Sequence, residues 1–300
     1  MGRAAGPGGT VNFPDRVVLV DKPVGPSSYD MIRRARRGRR GRIGHAGTLD
    51  PFASGLLLLM TGNATRLSAL LMSLPKEYEL TVQFGAESST GDPTGDITWA
   101  GSPVTVREVV AALDRFRGSV VQRVPLTSAV KVGGEPLYKR AHRGEAVETP
   151  ERLVQVYDLT LTHFDIETQQ AQVLALVGSG TYLRVLAADL GQAAGSRAYA
   201  AALRRTRVGC FSVADAVAGE ELCAELFEST GRGVLSVDEA LAFLPRYQVD
   251  GSLARRAANG NVLRPFPLGR FRVYQADRLL GVYESREGAA RPLVVFPKAG

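Results

Sequence analysis

Cysteine and histidine are scarce in this chain of 300 residues, which contains two cysteines and three histidines. Cys210 and Cys223 have no CxxC spacing, which excludes a disulfide framework and indicates a reducing compartment. His45, His142 and His163 lie far apart in the sequence. This spacing does not match any metal-ligand pattern, so no metal site is expected.

Long hydrophobic runs are also missing. The aliphatic run from Leu56 to Met60 covers five residues, whereas a membrane-spanning helix needs about 20. Residues 1–9 are rich in glycine and proline and lack the apolar segment of a secretory signal. We therefore expect a flexible tail over 1–12, a cytoplasmic protein and no membrane partner. The sequence has no P-loop and no GxGxxG cradle, so no cofactor is expected.

Acidic residues are absent between Asp30 and Asp50, although the chain carries a net charge of +7. Seven arginines lie in that interval: Arg33, Arg34, Arg36, Arg37, Arg39, Arg40 and Arg42. A solvated helix face is one interpretation. However, no acidic partner at i,i+4 spacing lies inside the run, and unpaired guanidinium groups repel one another unless phosphates neutralise them. The run therefore favours a nucleic-acid surface.

The hydrophobic pattern predicts an α/β (α+β) fold. Residues 76–84 alternate, with Tyr78, Leu80 and Val82 on one face, which is typical of a half-buried strand. Further strands are predicted at 17–20, 56–60, 153–164 and 171–177, and helices at 28–37, 106–116 and 181–191. Because strands often follow one another directly, we expect a mixed, mainly antiparallel sheet flanked by helices.

The pattern changes near Pro245, where short strands alternate with glycine, proline and charged turns. We predict a main domain over 13–244 and a small β-rich domain over 245–300. Within the main domain, a basic, glycine-containing segment over about 107–150 would suit an RNA-binding insertion that closes over its ligand.

Asp50 is the residue that most suggests chemistry. It lies in a loop between Gly47 and Pro51, and the run from Leu56 follows. An aspartate before a proline can also simply cap a turn. Arg184 could pair with this carboxylate, lower its pKa and keep it ionised. In that case one nucleophilic or basic carboxylate would carry the reaction.

The chain also resembles the TruB-type pseudouridine synthases, which isomerise uridine in transfer RNA. The resemblance covers about residues 15 to 215. It rests on five ordered motifs, which are Leu19-Val20-Asp21-Lys22-Pro23, Gly44-His45-Ala46-Gly47-Thr48-Leu49-Asp50-Pro51, Lys76-Glu77-Tyr78, Gly180-Thr181-Tyr182-Leu183-Arg184 and Leu203-Arg204-Arg205-Thr206. A looser similarity to the small PUA RNA-binding domain covers the segment from about 245. The segment before Ser128 departs from the family, because Thr127 stands where a tyrosine is usual.

The resemblance implies a pseudouridine synthase fold and a role for each matching residue. Asp50 is implied as the catalytic aspartate, with Arg184 holding its carboxylate. Tyr78 is implied to stack on the flipped base and serve in proton transfer, and Tyr182 to line the pocket. His45 is implied to contact the RNA at the opening left by the extruded nucleotide. Each side chain could instead be structural: Tyr78 and Tyr182 as core, His45 as a loop cap.

The other residues predicted to bind RNA are basic. They are Lys22, Arg33, Arg34, Arg37, Arg40, Arg42 and Lys131.

The leading hypothesis is a stand-alone enzyme that acts on uridine 55 in the T-arm of tRNA, with no obligatory protein partner. Two alternatives stay open. One is a guide-RNA-dependent pseudouridine synthase, which is disfavoured because such proteins work inside a multi-protein particle. The other is an RNA-binding or tRNA-folding protein in which catalysis is secondary. An ionised Asp50 would weaken RNA binding, so its presence favours the enzyme.

Overall fold

The computed structural model describes residues 12–126, 128, 130–143, 145, 147–264 and 266–296; for residues 131, 132, 136, 138, 141 and 142 it describes the backbone alone. The strands before residue 240 are β1 (Arg16–Lys22), β2 (Ile43–His45), β3 (Ser54–Thr61), β4 (Lys76–Phe84), β5 (Ala86–Ser88), β6 (Ile97–Trp99), β7 (Gly118–Arg123), β8 (Lys131–Val132), β9 (Glu135–Pro136), β10 (Glu151–Asp165), β11 (Gln170–Val177), β12 (Ala198–Val208), β13 (Phe211–Ser212), β14 (Val217–Ala218) and β15 (Val234–Ser236). The α-helices are α1 (Ser28–Ala35), α2 (Ser68–Met72), α3 (Val106–Arg115), α4 (Leu137–His142), α5 (Leu183–Ala193), α6 (Val237–Ala240) and α7 (Gly251–Ala258), and short 3-10 helices cover Gly62–Leu67, Val213–Asp215 and Glu225–Glu228.

One large sheet organises the first part of the described chain, in the order β14-β1-β3-β12-β4-β11-β10-β7. The β1–β14 and β12–β3 pairs are parallel, and the other pairs along this path are antiparallel. The predicted mixed, mainly antiparallel sheet is therefore confirmed.

The centre of this sheet is buried on both faces. In β3, Leu57 and Leu59 belong to one hydrophobic cluster, while Leu56, Leu58 and Met60 belong to the cluster on the opposite face. Successive side chains of a strand point to opposite faces, so a continuous apolar run is what a doubly covered strand requires. The loop before β3 is therefore anchored at its C-terminal end by a buried strand.

The helices begin where the sequence supplies caps. Ser27 caps α1 in a capping box with Asp30, and Thr105 caps α3 in a capping box with Glu108. Each box pairs backbone N–H groups that the first helical turn leaves without partners. Helix α3 then packs Val109 into the main core. Strand β7 pairs with β10 and so belongs to the main sheet, and α3 belongs to the layer that covers this sheet. The first part of the predicted 107–150 segment is therefore integral to this domain.

A second sheet follows, made of β16 (Arg246–Gln248), β17 (Gly269–Gln275), β18 (Arg278–Arg286) and β19 (Ala289–Val295), in that order. It has its own core with α7, centred on Phe271 and Tyr283. Val282 and Val294 join the cluster on one face of the main sheet instead. This small β-rich unit packs on the first domain, and its boundary at 245 stays a prediction.

Candidate active site

The loop that carries Asp50 is held on both sides of that residue. The Ser28 hydroxyl donates to the carbonyl oxygen of Leu49 at 3.0 Å and accepts from its amide at 2.9 Å. The amide of Gly25 donates to the carbonyl oxygen of Pro51 at 2.8 Å. The first residue of α1 and the turn before this helix therefore fix the residues immediately before and after Asp50, as a preorganised site requires.

Arg205, in the middle of β12, ties the two ends of the same loop together. Its side chain is almost wholly buried, and it donates to the carbonyl oxygens of Leu56 at 2.7 Å and Gly47 at 3.0 Å. Gly55 lies against the Arg205 backbone with a φ of +102°, and a Cβ atom there would come within 2.3 Å of the Arg205 carbonyl oxygen. Only glycine fits this approach.

Arg184 lies between two carboxylates. Its Nε is 3.0 Å from Oδ2 of Asp50, and its Nη1 is 3.2 Å from Oδ2 of Asp92. The Arg184 side chain is 7% exposed and the Asp92 side chain 6%, whereas the Asp50 side chain is 39% exposed and lines a cavity. Asp92 is held in turn by Thr90 and by the backbone amide of Thr94. The predicted pairing of Arg184 with Asp50 is present in the structure. The sequence did not indicate Asp92 as the second partner of Arg184.

The expected lowering of the Asp50 pKa is wrong. Burial raises the pKa of the Asp50 carboxyl and outweighs the opposing effect of Arg184. The negative charge of Asp92 raises this pKa further, and Lys22 lowers it. Desolvation disfavours the charged form of a carboxyl. The amino-acid sequence alone does not reveal how much water a loop residue loses when the chain folds. Arg184 limits this increase but does not reverse it.

The Asp50 carboxylate opens into a cavity of about 520 Å³, within the size range of ligand pockets. Tyr78 and Tyr182 line it, on β4 and at the start of α5. Gln122 of β7 holds Tyr182 in place by accepting from its amide at 3.0 Å and donating to its carbonyl oxygen at 3.2 Å. The cavity therefore joins a partly desolvated carboxylate to aromatic side chains, as a site for a planar base requires.

Comparison with known proteins identifies the family. The family model "TruB family pseudouridylate synthase (N terminal domain)" matches residues 33–183. The tRNA pseudouridine synthase B of Burkholderia mallei (strain NCTC 10247) is 40% identical over 290 residues, covering 93% of this chain and 95% of that protein. The protein of the same name from Dechloromonas aromatica (strain RCB) is 40% identical and covers 95% and 94%. The chain belongs to the TruB family. It is a pseudouridylate synthase, an isomerase, and the predicted resemblance is confirmed.

Solved structures show the same fold. A Cbf5-Nop10-Gar1 complex matches with a TM-score of 0.69 and 22% identity, covering 94% of this chain and 85% of that one. An H/ACA RNP bound to a substrate RNA containing 2'-deoxyuridine matches with a TM-score of 0.68 and 20% identity, covering 95% and 86%. The pseudouridine synthase fold with an added C-terminal β sheet is thus confirmed.

Two lysines of this TruB-family site are buried. Lys22 is fully buried and donates to the carbonyl oxygens of Pro23 and Pro26, both at 2.8 Å. It was predicted to bind RNA, but an ammonium so enclosed supports the turn before α1 instead. Lys76, which lines the cavity, donates to the carbonyl oxygens of Leu74 and Met72. Burial lowers the pKa of each lysine to about 8.

The arginine run is less unpaired than its sequence indicated. Arg33 lies 3.3 Å from Asp30, and Arg39 pairs with Glu228. Arg34 and Arg42 donate to the Gly219 carbonyl oxygen and to the Asn63 side chain. Sequence spacing could not reveal partners that lie up to 189 residues away. Among the described residues, the side chains without a partner in this run are those of Arg36, Arg37 and Arg40.

The sequence analysis also singled out His45, Lys131 and Thr127, which differ in how much of each the structure describes. His45 ends β2, outside the lining of the cavity, and its Nδ1 is buried with no hydrogen-bond partner among the residues that the structure describes. Burial lowers the pKa of this imidazole, and nearby Arg205 lowers it further. Lys131 lies in β8, where the backbone alone is described. Thr127 lies outside the described residues.

Neither a metal site nor a membrane span is found in the described part of the chain. No three His, Cys, Asp or Glu side chains come together there as ligands. No helix in the described ranges is long and apolar enough to cross a membrane.

Proposed function

We propose that this TruB-family enzyme converts uridine 55 in the T-arm loop of tRNA to pseudouridine, without a cofactor. The curated relatives at 40% identity carry the name tRNA pseudouridine synthase B, which supports tRNA as the substrate. The single observation that carries the proposal is the 3.0 Å contact between Arg184 and Asp50 at a cavity lined by Tyr78.

The target uridine has to leave its stack before Asp50 can reach it. A base inside a folded loop pays unstacking free energy when it is extruded. An aromatic ring that stacks on the extruded base restores part of this free energy. Tyr78 is 7% exposed and lines the cavity, so it offers a ring at the required place. Tyr182, fixed through its backbone by Gln122, forms another part of the wall.

Asp50 is the group that attacks, at either the base or the ribose C1′. The N1–C1′ bond breaks, the uracil turns, and a C5–C1′ bond forms. The bond to Asp50 breaks again in the course of the reaction, which restores the free carboxylate, and the proton on C5 is lost to solvent. A carboxylate that has lost much of its water and has a raised pKa is a stronger base and nucleophile than an exposed one. Arg184 keeps the carboxylate oriented throughout, and its link to Asp92 keeps the guanidinium from following the substrate.

The tRNA backbone is held by surface arginines. Arg36, Arg37 and Arg40 lie exposed in the run before the Asp50 loop. Arginine matches phosphate geometry with two parallel hydrogen bonds. The small C-terminal sheet contributes further arginines and acts as a PUA-like RNA-binding domain. The predicted cytoplasmic location and the absence of an obligatory protein partner stay predictions.

The guide-RNA-dependent alternative is less supported. The solved structures named for RNA-protein particles are 20% and 22% identical to this chain, a likeness that concerns the fold. The relatives named for tRNA are 40% identical.

The test is tritium release from uracil C5 in tRNA and in a T-arm hairpin. Forming the C5–C1′ bond expels this hydrogen, so the wild-type protein should release it from both substrates without added RNA or protein. Asp50→Asn should release none while its RNA affinity stays within a few-fold. Asp96→Asn, an exposed carboxylate in the loop that carries Asp92, serves as the matched control and should keep its rate.

Two results would contradict the proposal. The wild-type protein could bind RNA tightly and release no tritium, which would favour an RNA-binding protein or an enzyme that needs a guide. Alternatively, Asp50→Asn could lose RNA binding together with turnover, which would make Asp50 a structural turn residue.

A further inference from the structure

Ser128 lies in the wall of the cavity, and none of the described residues supplies a partner for its hydroxyl group. The residue is 4% exposed, and its Oγ has almost no accessible surface. Its backbone amide, in contrast, donates to the carbonyl oxygen of Pro125 at 3.1 Å. Buried hydroxyl groups nearly always have a partner, and one left without any lowers stability. A rotation about its Cα–Cβ bond to another staggered rotamer would turn this hydroxyl group toward the cavity, where a ligand can supply the missing partner.

The other small hydroxyls at the cavity differ from Ser128. Thr48 and Ser179 are exposed, so water satisfies them. Thr181 is half-buried and donates to the carbonyl oxygen of Gly178 at 3.1 Å. Ser128 shares the cavity wall with Asp50 and is the one of these four that is both buried and unpaired.

We propose that the Ser128 hydroxyl donates a hydrogen bond to a carbonyl oxygen of the extruded uracil, both before and after the base turns. The inference rests on the proposed function and adds a substrate contact to it. Uracil presents two carbonyl oxygens, O2 and O4, on either side of N3. Because a hydroxyl group donates well to a carbonyl oxygen, Ser128 can donate a hydrogen bond to either O2 or O4.

The symmetry of uracil makes one donor sufficient for the whole reaction. A half-turn about the axis through N3 and C6 exchanges N1 with C5, and it exchanges O2 with O4. The N1–C1′ bond breaks before this turn, and the C5–C1′ bond forms after it. A donor beside one carbonyl oxygen therefore meets the other one when the turn is complete. Ser128 would position the base while no covalent bond joins it to the ribose, which is when positioning matters most.

The first test compares Ser128→Ala with Ser28→Ala. Ser128→Ala should slow single-turnover tritium release about tenfold, the usual effect of losing one hydrogen bond. RNA affinity should stay within about threefold, and the melting temperature should not fall, because no bond within the protein is lost. Ser28→Ala removes two bonds to Leu49, so its melting temperature and its rate should fall together. A melting temperature that falls in Ser128→Ala would overturn the inference, since Ser128 would then be structural.

The second test replaces the carbonyl oxygens of the target base. Hairpins with 2-thiouridine or 4-thiouridine at the target position carry a weaker acceptor at one place. Each sulfur should slow the wild-type protein more than it slows Ser128→Ala, because the contact is already missing in the variant. Equal effects in the two proteins would overturn the contact. An effect for one sulfur alone would overturn the statement that the contact persists through the turn.

These outcomes separate the inference from the proposed function. If wild-type and Ser128→Ala proteins release tritium equally while Asp50→Asn releases none, the inference fails and the proposed function stands. If the wild-type protein releases none, the proposed function fails first.

Discussion

The guanidinium of Arg205 donates to the carbonyl oxygen of Gly47 at 3.0 Å. This bond joins the central strand β12 to the start of the Asp50 loop, and the bond to Leu56 joins it to the end. Among the described residues, Arg205 forms no ion pair with a carboxylate. Its guanidinium donates to backbone carbonyl oxygens instead. A side chain of the central sheet thus fixes both ends of the loop that carries the Asp50 carboxylate.

Replacing Arg205 should therefore damage both stability and rate. Arg205→Met keeps much of the side-chain volume but removes the two hydrogen bonds to the carbonyl oxygens of Leu56 and Gly47. The bond to Leu56 is buried, and the loss of a buried partner costs about 1–3 kcal/mol. Arg205→Lys has a single ammonium that cannot reproduce both bonds, so it should recover part of the stability and little of the rate. Urea denaturation and single-turnover tritium release measure the two effects. A fully active Arg205→Met protein would contradict a role in shaping the loop.

The buried Lys76 makes stability depend on pH. Its folded-state pKa of about 8 lies below the ordinary value of 10.5. Between these pH values the unfolded chain binds more protons than the folded one, so the free energy of unfolding rises with pH. In Lys76→Met this rise should be smaller by about 1–3 kcal/mol.

The measurement for Lys76 is urea denaturation at pH 8 and pH 10. Lys139→Met is the matched control, because Lys139 lies exposed on α4 and its replacement removes one charge without a buried ammonium. If the rise is the same in the wild-type and Lys76→Met proteins, Lys76 does not titrate in this window.

Sequence reasoning predicted the elements with a strong pattern. Strand β4 was predicted with its observed limits because its residues alternate strictly. The central strand β12 was missed, since Arg204 and Arg205 interrupt its apolar pattern and the burial of an arginine depends on partners elsewhere in the chain. The Asp50–Arg184 pair could be predicted from residue types, whereas Asp92 could not. Its contact with Arg184 spans 92 residues and arises only when the 89–96 loop folds over α5.

The unpaired arginines should determine the salt dependence of RNA binding. Replacing both Arg37 and Arg40 by alanine should lower the log-log salt slope by about 1–2, because each neutralised phosphate contributes close to one unit. Arg39→Ala is the control within the same run, since the Arg39 guanidinium pairs with Glu228 and is 13% exposed. It should change the slope little. The salt slope is measured by filter binding to the T-arm hairpin between roughly 50 and 300 mM salt. An unchanged slope in the double variant would show that these arginines do not contact the backbone.

Asp92 should set the pH dependence of the reaction through Asp50. The Asp92 charge raises the pKa of Asp50, so Asp92→Asn should lower this pKa and move the acid limb of the rate profile to lower pH. Arg184 would also lose one of its carboxylate partners, and its looser hold on Asp50 should slow the reaction about tenfold at neutral pH. Single-turnover tritium release measured from pH 4.5 to 8, roughly the range in which a raised carboxyl titrates, gives both quantities. Asp96→Asn lies in the same loop and is exposed, so its profile should match that of the wild-type protein. An acid limb that stays in place or moves to higher pH in Asp92→Asn would mean that the two carboxylates do not interact through Arg184 in the working enzyme.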